Sequence, residues 1–265
     1  MLYIVATPIG NLQEITFRAV EVLNSVHYIL CEDTRNSIKL LNHYNIKKPL
    51  ISYHKFNERE RVEEVIVHLK EGKDIALISD AGMPCVSDPG NLLVQECVTE
   101  NLPYTVISGA SALINAFVLS GQTAPFVFLG FLPSKLKDKK SLLEEYKEVG
   151  ASLIFYLAPH DIEKTFSFLL SELGDRKCYI VREISKKFEE GIHTTLKKAY
   201  SGNVKGEFVL VVEGNKKEIS YNISLKEHVQ QLINNEGYEK QEATKKVAQL
   251  RGVRKNEVYK EMLED

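Results

Sequence analysis

The chain has 265 residues, 44% of them hydrophobic and 26% charged, with a formal net charge of −2. That length suits two α/β domains of ordinary size or one large one, and the composition excludes a disordered or fibrous chain. The charge gives no whole-protein attraction to nucleic acid, so any basic surface must be local. The four cysteines, Cys31, Cys85, Cys97 and Cys178, form no CxxC pair and show no metal-ligand spacing. They read as buried reduced thiols in a cytoplasmic protein without a metal. No apolar run approaches the roughly eighteen residues of a membrane span, and the chain opens directly on the strand-like LYIVAT, so neither a membrane nor a targeting role is expected.

Apolar, β-rich runs alternate with helix-period segments. Strands are expected at 2–6, 27–32, 49–53, 74–79 and 104–107, with helices near 15–24, 34–44, 58–71, 89–100 and 112–119. Continuous apolar strands joined by helical crossovers predict a mostly parallel sheet covered on both faces. Gly121 and the break at 122–125 mark the end of this first α/β domain, 1–121. The pattern restarts with strands at 126–131, 152–157, 177–183 and 207–212 and helices near 136–148 and 161–173, a second α/β domain over 122–216. A ligand cleft is expected between the two. The remainder, 217–265, is polar and strand-poor, with helical periods at 225–234 and 241–250. Ala248, Gly252, Val253 and Val258 outline a helix, a glycine turn and a second helix, as in a helix-turn-helix. Residues 240–260 hold seven Lys/Arg against two Glu, a balance that a solvated helical face explains as well as nucleic-acid contact does.

The richest stretch is LISDAGMPCVSDPG, residues 77–90, where an apolar strand runs into a loop with two carboxylates, two glycines and two prolines. The prolines stiffen the loop and the glycines admit close backbone approach, which suits a ligand. Asp88 is expected to cap the next helix with Pro89 in its first turn. TPIGN, residues 7–11, ends the first strand but is not GxGxxG, so a dinucleotide reading is weak. CEDTR brings Glu32, Asp33 and Arg35 to the carboxyl edge of the sheet, where Asp33 or Thr34 serves as a helix cap, and His54 and Asn57 follow the third strand at the same edge. The small residues Gly109–Ala112 leave main-chain groups accessible, or permit close helix packing.

TPIGN, EDTR, SDAGxPxxSDPG, GASA, GFLP, RExxKKFEE and KGE occur here in one order. With them the chain resembles the tetrapyrrole-methylase superfamily of S-adenosylmethionine-dependent methyltransferases, and within it the ribosomal RNA small subunit methyltransferase I family. The resemblance covers residues 2–214. It implies two α/β domains with a cofactor cleft between them, a small C-terminal helical module, a homodimer, and 2′-O-methylation of the ribose of a decoding-centre cytidine in 16S rRNA of the small ribosomal subunit. It also implies that S-adenosyl-L-methionine is held by Pro8 and Gly10, by Asp80, Ala81 and Gly82 with Val86 and Ser87, and by Ala110, Ser111 and Ala112. In the second domain the implied contacts are Tyr156 and Leu157, then Gly206, Glu207 and Phe208. The chain departs from the family pattern at Ser108, Met83, Leu157 and Asp161.

Methyl transfer needs a positioned hydroxyl and an acceptor for its proton, for which Glu32, Asp33, His54 and Asp80 are the candidates. Arg35, Lys135 and Arg182 are expected to hold RNA phosphates, as are Lys245, Lys246, Arg251, Arg254 and Lys255 in the tail. The alternatives are a porphyrinoid methyltransferase of the same superfamily and a non-enzymatic nucleic-acid-binding protein.

Overall fold

Five short apolar strands, β1 (Leu2–Val5), β2 (Tyr28–Cys31), β3 (Leu50–Ser52), β4 (Ile75–Ile78) and β5 (Tyr104–Ile107), pair in the order β3-β2-β4-β1-β5, every pair parallel. The computed structural model of the chain describes residues 1–215 and 223–263. The crossovers are α1 (Phe17–Ser25), α2 (Thr34–His43), α3 (Glu58–Lys70) and α4 (Asn91–Thr99). Alternate residues of a strand face opposite sides, so the unbroken apolar runs feed two cores. Leu30 and Leu77 meet Val65, Leu69 and Leu93 of α3 and α4. Ile29 and Ala76 meet Ala19, Leu23 and Leu41 of α1 and α2. All-parallel pairing brings the loops after β1, β2, β3 and β4 to one edge of the sheet, where open α/β sheets bind ligands.

The second sheet is mixed. It comprises β6 (Phe126–Phe131), β7 (Ser152–Leu157), β8 (Lys177–Arg182), β9 (Glu190–Thr195) and β10 (Phe208–Val212), in the order β6-β7-β10-β8-β9. Only β6 and β7 run parallel, while β10 is antiparallel to β7 and β8, and β8 to β9. Helices α6 (Leu136–Tyr146) and α7 (Ile162–Leu173) supply Leu143, Phe166 and Leu169 to one face. The other face packs on α5 (Ala112–Leu119), whose Leu113 and Ala116 join Ile9 against Ile154, Val181, Val209 and Val211. Residues Met1–Asn215 thereby form one compact unit around a shared core. Strand β9 was not expected from sequence, because EGIHTT carries a single large apolar residue and its burial alternates along a sheet edge.

The second unit consists of α8 (Leu225–Glu236), α9 (Lys240–Arg251) and α10 (Lys255–Leu263) around Val229, Leu232, Val247 and Val258. Ser224 and Glu227 form a capping box on α8, and Gly237 and Gly252 end α8 and α9 in the left-handed conformation. The boundary expected at 216–217 lies outside the described residues. Among those described, no helix is long and apolar enough to cross a membrane.

The expected cap of α4 is corrected. The helix starts at Asn91 with Gly90, not Asp88, at its N-cap, in a conformation of φ +130°. A Cβ there would stand 2.6 Å from Leu77 Cδ2 and 2.7 Å from Cys85 Sγ, so the close approach to β4 requires glycine at this N-cap. Replacing Gly90 with Ala is expected to lower stability by about 2–4 kcal/mol, through strain and overpacking together. Denaturant melts would check this, with the midpoint falling while the slope holds.

Candidate active site

The loops after β1 and β4 are fastened to each other. Thr7 and Gly82 exchange two backbone N–H···O bonds of 2.8 and 3.1 Å, and the Thr7 hydroxyl donates to the Ser79 carbonyl at 3.2 Å. Gly82 sits at φ +77°, and a Cβ on it would press on the Ile9 side chain at 3.3 Å. This clamp fixes the backbone that leads into Asp80, Ala81 and Met83.

Beside the clamp lies a cavity of about 410 Å³. The first sheet contributes Ile9, the 80–83 loop, the 86–88 segment, Ser111 and Ala112, and the second contributes Phe131, residues 156–159, Ile184 and the 206–209 segment. It is of the size that takes a nucleoside-sized ligand, and its lining is mostly apolar, with Asp80, Asp88 and Glu207 among the polar exceptions. Asp80, Ala81, Gly82, Val86, Ser87, Ser111, Ala112, Tyr156, Leu157, Gly206, Glu207 and Phe208 line it. Pro8 and Gly10 instead line a groove that continues from it, and the Ala110 carbonyl stands 3.8 Å from where a Gly82 Cβ would be. Sequence reasoning missed Asp88 as a lining residue because a Pro-Gly pair before an apolar run reads as a cap. It missed Ile9, Phe131, Ile184 and Val209 because they read as ordinary core.

Four carboxylates occupy the sheet edge in different settings. Asp33 caps α2, accepting the Arg35 N–H at 2.9 Å, and its ion pair with the Arg35 guanidinium at 2.7 Å holds its pKa down at about 2. Asp80 accepts the Asp33 N–H at 3.3 Å and the Asn36 amide at 2.9 Å, so the first turn of α2 orients it. Asp88 is pushed up to about 6 by burial and by the charges of Glu32 and Asp80. Burial and Asp80 raise Glu32 as well, with His54 opposing. His54 is half-buried beside Phe56, its Nδ1 buried without a hydrogen-bond partner among the described residues. Asn57 braces the same loop, accepting the His54 N–H at 2.8 Å and donating to the Ser52 carbonyl at 3.0 Å.

The basic candidates divide. Arg35 is 87% exposed but paired with Asp33. The Arg182 side chain is only 13% exposed and holds Glu190 at 3.4 Å and the Lys205 carbonyl at 3.2 Å, so its charge is already engaged. Lys135 is exposed at the start of α6. In the helical unit Lys245, Lys246, Arg254 and Lys255 are exposed, whereas Arg251 bonds His228 Nδ1 at 3.2 Å and the Ile223 carbonyl at 2.7 Å and braces the bundle. Lys186 bonds Glu183 and Glu207 at 2.9 Å each, and the Ser185 hydroxyl bonds Glu14, tying the loop after β8 to the segment after β1.

A sequence profile of the tetrapyrrole (corrin/porphyrin) methylases matches residues 1–200. The chain is 43% identical to the ribosomal RNA small subunit methyltransferase I of Halalkalibacterium halodurans over 269 aligned residues, covering 97% of this chain and 93% of that one. It is 43% identical to the Bacillus subtilis protein of the same name, covering 98% and 92%. Among solved structures, uroporphyrin-III C-methyltransferase of Thermus thermophilus, complexed with S-adenosylhomocysteine, superposes with a TM-score of 0.57 over 79% of this chain and 96% of its own, at 16% identity. Diphthine synthase gives 0.59 over 80% and 89%, at 15% identity. These two likenesses establish the fold.

The raised Asp88 pKa makes the folded chain bind a proton more tightly than the unfolded one does. Its contribution to stability is therefore full below the unfolded value of 3.8 and is lost as the pH rises through about 6. Asp88→Asn removes that penalty. It is expected to be more stable than the wild type at pH 8 by about 1–2 kcal/mol, after solvent screening of a half-exposed group. The gap should close by pH 4, as read from denaturant melts at both values.

Proposed function

The chain belongs to the ribosomal RNA small subunit methyltransferase I family of the tetrapyrrole methylases, and from that membership we propose that it transfers a methyl group from S-adenosylmethionine to the ribose 2′-hydroxyl of a decoding-centre cytidine in 16S rRNA. The observation that carries this reading is the 43% identity running through 97% of the chain. The porphyrinoid methyltransferase, at 16%, shares the fold alone.

The cavity suits the cofactor in size and in its mostly apolar lining. When bound there, the cofactor supplies a methyl group on an electron-poor sulfonium. Tyr156, Phe131 and Phe208 offer aromatic surface, and the Asp80 and Asp88 carboxylates favour a positive charge between the sheets. Glu32 and Asp88, whose pKa values lie above the ordinary range, hold a proton more tightly than a free carboxylate and are the fittest acceptors for the hydroxyl proton. Asp33 works differently: with its pKa held at about 2, it caps α2 and aims its N–H at Asp80. The exposed Lys245, Lys246, Arg254 and Lys255 supply phosphate contacts from the helical unit.

A homodimer and a cytoplasmic location belong to the same reading. Edge strand β5 and helix α5 leave Tyr104, Val106, Ile114 and Val118 exposed, the last at 71%, an apolar surface suited to a second copy. Val118→Glu is expected to give a monomer by sedimentation velocity where the wild type gives a dimer.

The direct test is transfer of labelled methyl to 30S subunits lacking their native modifications, followed by nuclease mapping. Label on the ribose of a decoding-centre cytidine is expected. Label on a porphyrinoid and none on the subunit would overturn the reading. In the same assay Glu32→Gln is expected to cut turnover about 100-fold while leaving the cofactor Kd, measured by calorimetry, within about two-fold of wild type.

A further inference from the structure

Two grooves run on from the cavity and join. The nearer, about 250 Å³, shares Ile9, Asp80, Ala81 and Glu207 with the cavity and adds Pro8, Asn36 and Lys39. The farther, about 590 Å³ and more open, shares Gly10, Leu12 and Lys186 with the nearer and adds Asn11, Gln13, His43 and Lys187. The result is one furrow leading from the carboxylate edge toward Lys187, lined by Asp80 and Glu207 at its near end and by basic and amide side chains beyond, with Glu207 paired to Lys186.

Lys186 is committed to Glu183 and Glu207. Lys39 and Lys187 are exposed and form no ion pair among the described residues. The Lys187 ammonium lies 5.6 Å from the ring centre of Phe188, itself 65% exposed. Phe17, 92% exposed, follows Gln13 by four residues, and the Glu14–Ser185 bond ties its segment to the one that bears Phe188. A single exposed phenylalanine needs no explanation. Two on tethered segments that also carry the furrow residues Gln13 and Lys187, together with unpaired lysines, supply the two elements of single-strand recognition, phosphate charge and base stacking.

We propose that this furrow holds the single-stranded RNA flanking the target nucleotide, with phosphates on Lys39 and Lys187, neighbouring bases against Phe17 and Phe188, and the target ribose at the Asp80 end. The proposal rests on the rRNA reading and assigns the path of the strand within it. Unpaired bases expose the faces that such side chains stack on, and a strand laid along the furrow presents its sugar to the cavity without a paired helix having to enter.

The test uses the full chain and a fluorescein-labelled single-stranded oligoribonucleotide of decoding-centre sequence, with binding read by anisotropy across a salt series. Lys39→Ala with Lys187→Ala is expected to weaken binding and to flatten the slope of log K against log salt by about 1.4, two phosphate contacts at about 0.7 each. Phe17→Ala and Phe188→Ala should each weaken binding about ten-fold with the slope unchanged, and Phe188→Tyr should restore it. Cofactor affinity should stay at the wild-type value in every variant. Wild-type affinity in the alanine variants, or no binding by the wild type, overturns the proposal. Methyl transfer to 30S subunits separates the two readings. If transfer fails while oligonucleotide binding depends on these four residues, the furrow stands and the rRNA activity falls. Efficient transfer with KM unchanged in the variants removes the furrow and leaves the activity.

Discussion

Two backbone hydrogen bonds between Thr7 and Gly82 hold together the loops that follow β1 and β4. A parallel sheet brings its carboxyl ends to one edge but leaves the loops beyond them without partners of their own. The bridge satisfies those main-chain groups and sets the course of the chain through Ile9 on one side and Asp80 on the other. Both the cavity wall and the start of the furrow are built on these residues, so the precision of the site depends on the clamp.

The second constraint is the core shared by the two sheets. Helix α5 leaves the edge of the first sheet and buries Leu113 and Ala116 against β7, β8 and β10 of the second. This fixes the distance between the two sets of loop ends, and with it the width of the cavity. It also strips β5 of a covering helix on its outer side, where Tyr104 and Val106 remain exposed.

Electrostatics at the edge runs against stability and toward chemistry. Burial first, and the neighbouring carboxylates second, raise the pKa values of Glu32 and Asp88. Asp33 shows the contrast. One arginine two residues away and its place at a helix N-terminus keep it ionised, and it acts as a structural brace. Four carboxylates within one edge thus divide between two held by hydrogen bonds, Asp33 and Asp80, and two with raised pKa values, Glu32 and Asp88.

The element order, β9 excepted, was legible in the sequence because buried strands and glycine-bearing strand ends leave local patterns that neighbouring residues suffice to read, whereas most of the residues lining the cavity were implied by the family resemblance. Asp33 as a helix cap is local in the same sense. Asp88 passes for the cap of α4 in sequence, but the helix begins at Asn91 with Gly90, packed closely on Leu77 of β4, at its N-cap. Arg182, expected to hold phosphate, lies beside Glu190 on a strand with almost no apolar signal. Arg251, expected to contact RNA, bonds His228 and the Ile223 carbonyl. The sequence alone determined the strands and helices other than β9, since those follow from short-range periodicity and turn chemistry. Only the tertiary structure decided which charged groups are free and which are spent, because a charge is engaged by whatever the fold brings beside it.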